Sequence, residues 1–106
     1  NLAPRPMEML LTGTGGCTAF DVVMILKKGR QRVTGCEVKL NATRAETDPK
    51  VFTAIHFSFR VSGTGLKPEA VARAIELSKE KYCSASIMLA KTATITHDFE
   101  IVETAG

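Results

Sequence analysis

Tryptophan is absent from this sequence, and the other aromatics amount to five Phe and one Tyr in 106 residues. Proteins that bind nucleic acid by stacking interleave such rings with clustered cations. Here the net charge is only +3 and the Lys and Arg residues are scattered, so no nucleic-acid partner is expected. The chain lacks an initiator Met and begins NLAPRP, with no basic start backed by an apolar core. No signal peptide is visible in these residues, and an N-terminal segment is expected to be missing. There is no repeat, low-complexity tract or linker, and the length suits one domain over 1–106 rather than two. The Gly13-Thr14-Gly15-Gly16 stretch is not followed by the Gly-Lys-Ser/Thr of a phosphate-binding loop, so no nucleotide is expected.

Cysteine is sparse and odd in number, at three. A secreted disulfide scaffold carries more, and an even count. Reduced thiols in the cytoplasm are the better reading, with two of them free to cycle. The two histidines, His56 and His97, have no ligand spacing between them, so neither a metal nor another cofactor is expected. From Met9 to Leu26 the only charge is Asp21. That run is shorter than the roughly 20 residues of a membrane span and is interrupted by glycine. A charge near the bilayer centre would cost on the order of 3 kcal/mol. A helix buried in protein fits better, and no membrane partner is expected.

What is present reads as an α+β chain. Pro6 suits a helix start, and the first helix is predicted over 7–28, with Gly29 as its C-cap and Lys27, Lys28 and Arg30 at the negative end of the dipole. Each glycine within it costs roughly 1 kcal/mol of helix stability, so a break or a close backbone approach is expected there. Residues 33–43 alternate: Cys36, Val38, Leu40 and Ala42 face one way, Glu37, Lys39, Asn41 and Thr43 the other. Residues 51–61 alternate again, with Val51, Ile55, Phe57, Phe59 and Val61 on one face. Glu46-Thr47-Asp48-Pro49 turns between them, which makes a hairpin. A second helix starts at Pro68 and carries Val71, Ala74, Ile75, Leu77, Ser78, Tyr82, Ala85, Met88 and Leu89 inward. The last strand, 94–102, places Ile95, Phe99 and Ile101 on one face, with His97 in the same register. The methionines read as core filler, and Glu76, Lys79 and Glu80 as a solvated helix face.

Chemistry, if present, centres on thiols. From position alone the simpler reading of Cys17 is a small buried hydrophobe, which is what most free cysteines are. The chemical reading is a nucleophile, which needs a helix N-terminus or a cation to lower its pKa. A helix restarting after Gly15-Gly16 would provide that N-terminus. Asp21, at i+4 on the same face, would raise the pKa unless paired with a base. Cys83 is open to the same two readings. Lys79, four residues before it, would favour its thiolate. Cys36 lies on the apolar face of a strand with no acid–base neighbour and reads as structural.

The segments PMEMLLTGTGGCTAFDVVMILKKGR and KYCSASIMLAKTATITHDFEI, flanking a hairpin, resemble the OsmC/Ohr superfamily over nearly the whole chain. The strongest matches are Gly15-Gly16-Cys17 closing an apolar helical turn, the CTAFDVVMILKKGRQ stretch, and Tyr82-Cys83-Ser84 on a second helix. The resemblance implies an OsmC-like fold in which two central cysteine-bearing helices pack with β-sheets and two chains intertwine as a homodimer. It implies a thiol-dependent peroxidase acting on organic hydroperoxides. Cys17 would be the peroxidatic residue, Cys83 the resolving one, and a dithiol reductant would restore both. The family's N-terminal strands have no counterpart here, so its activating arginine is assigned to no residue. The glutamate that precedes the first cysteine by ten residues in the well-characterised reductases falls on Met7. Glu8, one place later, is the candidate orienting or activating residue, and it reaches Cys17 only if the glycine segment bends. Asp21 and Val22-Val23 resemble a separate branch of the superfamily. The rival function is a non-catalytic OsmC-like dimer that binds an apolar ligand and keeps its cysteines structural.

Overall fold

A computed structural model describes the backbone of residues 6–47 and 51–104, and the side chains of 9–47, 51–81 and 83–104. The order is α1 (Pro6–Lys28), β1 (Arg32–Arg44), β2 (Phe52–Thr64), α2 (Pro68–Leu77), a π-helical turn (Ser78–Tyr82), α3 (Ser84–Leu89) and β3 (Thr94–Glu103). The α+β class expected from the residue pattern is the one observed. The three strands form one sheet in the order β1-β2-β3. β1 and β2 pair antiparallel, as a hairpin should, and β3 lies parallel to β2 on the other side. The hairpin's expected turn includes Asp48 and Pro49, which lie outside the described residues.

Alternation sets which face of the sheet is covered. Ile55, Phe57, Phe59 and Val61 of β2 are buried, while Cys36, Val38 and Leu40 of β1 and Ile95, Phe99 and Ile101 of β3 are half-buried beside them. Fully burying a side chain such as Phe57 contributes about 1.5–3 kcal/mol. The helices close this face with Val22 and Leu26 from α1 and Val71, Ala74 and Ile75 from α2. The opposite face carries Glu37, Arg60 and Glu100 in one cross-strand row, with Arg60 Nε donating to Glu100 Oε1 at 2.7 Å. Two details differ from the expected pattern. Val51 is exposed and precedes β2, and Phe52 is buried instead. Ala42 is exposed, near the end of β1.

The expected break in α1 does not occur: the helix is continuous through Gly13, Gly15 and Gly16. Two threonine hydroxyls satisfy themselves on its carbonyls. Thr14 Oγ1 donates to the Leu10 carbonyl (2.7 Å), and Thr18 Oγ1 donates to those of Thr14 and Gly15 (both 3.0 Å). Gly15 alone is closely approached, and by a side chain rather than a backbone: a Cβ there would lie 3.0 Å from Leu40 Cδ1 and 3.9 Å from the Val38 carbonyl oxygen. The helix ends as expected at Gly29, but the left-handed residue is Arg30 (φ 63°). Gln31 N–H donates to the Leu26 carbonyl (2.9 Å) and Arg30 N–H to that of Lys27 (3.0 Å), the paired bonds of a Schellman ending.

The second helix is not the single element expected. It loosens into the π turn and breaks at Cys83, which is extended (φ −89°, ψ 98°). Cys83 N–H nonetheless donates to the Ser78 carbonyl at 2.8 Å, so the backbone stays satisfied through the break. By length and composition, Met9–Lys28 is apolar enough to cross a membrane, yet it packs on β1, α2 and α3. Only 28% of that apolar window is buried within the chain, and Met9, Leu10, Phe20 and Met24 are exposed.

Candidate functional site

The site assembles where α1 passes the break in the second helix. Cys17 and Asp21 stand one turn apart on α1, and the π turn swings Cys83 against them. The two sulfurs and a carboxylate oxygen of Asp21 all lie within 4.8 Å of one another. All three cysteines are free thiols; Cys17 is half-buried and Cys83 fully buried. Asp21 is held from the other side: Ser78 Oγ, itself buried, donates to Asp21 Oδ2 at 3.1 Å. Ser78 is the member that sequence reasoning missed. Its signal was a hydroxyl set among apolar residues on the inward face of a helix, where a polar group needs a partner.

Electrostatics here favour the protonated thiol. Cys17 is pushed up to about 12, first by burial, then by its hydrogen bond with Cys83, and further by the charges of Cys83 and Asp21. Asp21 thus acts in the direction its i+4 spacing implies, and among the described residues no cation is a main cause of the Cys17 shift. The expected helix N-terminus is also missing, because α1 is unbroken and Cys17 sits well inside it. Lys79, expected to share a face with Cys83, turns to β3 instead, where its Nζ lies 2.8 Å from His97 Nδ1. The π turn and the extended residue spoil the i+4 phase on which that expectation depended. His97 Nε2 lies 3.7 Å from Glu76 Oε1, so Glu76 and Lys79 flank a strand histidine, while Glu76 and Glu80 stay exposed as a solvated helix face should. Burial, and then the Lys79 charge, lower the His97 pKa.

The remaining candidates lie apart from the thiol pair. Cys36 faces the helices from β1 opposite Val61, and burial followed by the Glu37 charge raises its pKa to about 11. His56 bonds across to β3, with Nδ1 2.7 Å from Thr96 Oγ1 and Nε2 3.4 Å from Asp98 Oδ2. The Glu8 side chain lies outside the described residues. The unbroken helix sets its backbone two and a half turns before Cys17, on the opposite side. An open, mainly apolar groove lined by Phe20, Asp21, Met24, Ile25, Lys28 and Leu77 reaches one site residue, Asp21, and neither thiol.

Comparison with known proteins agrees with this architecture. A family model described as OsmC-like protein matches residues 1–98. Protein YhfA of Escherichia coli K12 is 57% identical over 100 residues, covering 94% of this chain and 75% of that protein. Among solved structures, a hypothetical protein from Aquifex aeolicus VF5 superposes with a TM-score of 0.92 at 31% identity, covering 99% of this chain and 79% of that one. The organic hydroperoxide resistance protein OhrB of Bacillus subtilis superposes with a TM-score of 0.67 at 15% identity, covering 94% and 73%, a likeness of fold.

Proposed function

The chain belongs to the OsmC-like family, and from that premise we propose that it is a thiol-dependent peroxidase reducing organic hydroperoxides with Cys17 and Cys83. The observation that carries the reading is the approach of the two sulfurs to within 4.8 Å. The Cys17 thiolate attacks the terminal peroxide oxygen. The O–O bond breaks, the alkoxide takes a proton and leaves as an alcohol, and Cys17 becomes a sulfenic acid. The Cys83 sulfur then attacks Cys17, a disulfide forms and water leaves. A dithiol reductant returns both thiols by exchange. Membership in a family with solved hydroperoxide resistance proteins supports the substrate class, and the apolar groove at Asp21 suits an alkyl rather than a bare peroxide.

The reading includes a homodimer in a reducing cytoplasm. Phe20 is 66% exposed and Met9 60%, on a helix with little polar surface to offer water, and a second copy would cover that face. It also demands activation. Pushed up to about 12 by burial, the Cys83 hydrogen bond and the charges of Cys83 and Asp21, the Cys17 thiol is held protonated at neutral pH. A cation from a second copy of the chain has to lower it. The same raised pKa favours the second reading, a non-catalytic dimer that holds an apolar ligand in the groove. Adding cumene hydroperoxide to the reduced protein and counting thiols separates the two. The peroxidase loses two thiols per chain in the parent and in Cys36→Ser, and none in Cys17→Ser. Cys83→Ser reacts once and stalls as a sulfenic acid. Unchanged thiols in the parent would leave the ligand-binding reading standing.

A further inference from the structure

We infer that the reduced chain binds one thiophilic divalent cation of the Zn²⁺ class through Cys17 Sγ, Cys83 Sγ and a carboxylate oxygen of Asp21. Among the described residues this is the one cluster of three metal-ligating side chains, and its donor atoms all lie within 4.8 Å of one another. With Zn–S about 2.3 Å and Zn–O about 2.0–2.2 Å, tetrahedral coordination sets neighbouring donors roughly 3.5–3.8 Å apart. Side-chain rotations of about an ångström therefore close the site. Two sulfurs with one carboxylate select Zn²⁺ over Mg²⁺ or Ca²⁺, which prefer all-oxygen shells.

The surroundings have the form of a metal site as well. Cys17 and Asp21 are four apart on one helix, the spacing that aims two donors at one ion. Ser78, fully buried, donates to Asp21 Oδ2 and fixes the carboxylate, as outer-shell partners of ligands do. Cys83 supplies a wall and half-buried Cys17 and Asp21 an entrance. Three protein donors leave a fourth position for water. Each thiol exchanges its proton for a bond to the metal, so two protons leave per ion. Sequence spacing hides this site, because Cys17 and Cys83 are 66 positions apart and no short motif joins them.

The inference stands on ligand geometry and does not depend on the peroxidase reading, although an ion held by both sulfurs withdraws them from peroxide. The test uses the reduced full chain, freed of reductant under argon and titrated with Co²⁺. The expected result is a sulfur-to-cobalt charge-transfer band that saturates at one ion per chain, with two protons released and displacement by equimolar Zn²⁺. Cys36→Ser should match the parent. Cys17→Ser and Asp21→Asn should bind at least tenfold more weakly, with circular dichroism to verify folding. Prior oxidation of the parent to the Cys17–Cys83 disulfide, reversed by reductant, should abolish and restore the band without any substitution. The absence of a saturating band overturns the inference, and so does an unchanged affinity in Cys17→Ser or a lost band in Cys36→Ser. A chain that binds cobalt but leaves cumene hydroperoxide untouched upholds this inference and sinks the peroxidase. One that consumes peroxide without a cobalt band does the reverse.

Discussion

The helix that carries Cys17 contains three glycines and stays whole, whereas the stretch that carries Cys83 contains none and breaks. Helix continuity in this molecule follows what the backbone can bond to and where a side chain must go. In α1 the backbone ladder is unbroken, and Gly15 lets the helix lie against Leu40. After α2, buried Ser78 anchors to Asp21, and the wider π turn delivers Cys83 to the same point. The straight segment presents a half-open thiol, and the broken one places its thiol beneath it.

The largest expected contrast is in reactivity. Iodoacetamide should modify Cys17 slowly at pH 7 and about tenfold faster per pH unit up to pH 10, since the rate follows the thiolate fraction below a pKa of about 12. Cys83, with no exposed surface, should resist until the chain unfolds. Peptide mass spectrometry reads both, and a Cys17 rate already level near neutral pH would reveal a cation beside it in solution. The next effect concerns the anchor: Ser78→Ala removes a hydrogen bond to a carboxylate and should cost about 2 kcal/mol in denaturant unfolding. If stability is unchanged, that bond does not seat the π turn.

Smaller effects probe the straight helix. A Cβ at Gly16 or Gly13 meets nothing within 4 Å, so Gly16→Ala and Gly13→Ala should each stabilise by about 1 kcal/mol. At Gly15 the contact with Leu40 should cancel that gain. A loss at Gly16 or Gly13 instead would mean that a second chain packs there. At the helix end, Arg30→Gly should add up to about 1 kcal/mol by relieving its positive φ. The smallest effect lies behind the broken helix. The His97 pKa is lowered from 6.5 in the folded chain, so neutral His97 adds stability above pH 6.5 that is lost as pH falls through the folded value. Thermal scans should show this acid sensitivity diminished in His97→Gln.

Much of the layout was legible because it rests on periodicity. The buried face of β2, the start of the second helix at Pro68 and the half-buried face of β3 all follow from which residues alternate or recur. The failures share a cause. Gly15-Gly16 carries a propensity cost, but the packing of α1 on the sheet, with Gly15 against Leu40, is tertiary and has no local mark. The π turn has no compositional mark at all, and missing it misplaced Lys79. Of the site, Cys17 and Asp21 share a face by spacing alone, whereas the meeting of Cys83 and Ser78 with them depends on that unmarked turn.

The parallel pairing of β3 with β2 carries a consequence for the order of assembly. Its partners are 40 positions apart, as at His56 and Thr96, while the hairpin closes at Arg44 and Phe52. Long closures cost more entropy before any contact rewards them, so the hairpin is expected to acquire amide protection first and β3 last. During synthesis Cys17 and Cys36 emerge well before Cys83, and neither has its final neighbours. In an oxidising medium those two early thiols can bond to each other and trap the newborn chain. Refolding should therefore be faster and more complete with a reductant present, and Cys36→Ser should remove most of that dependence.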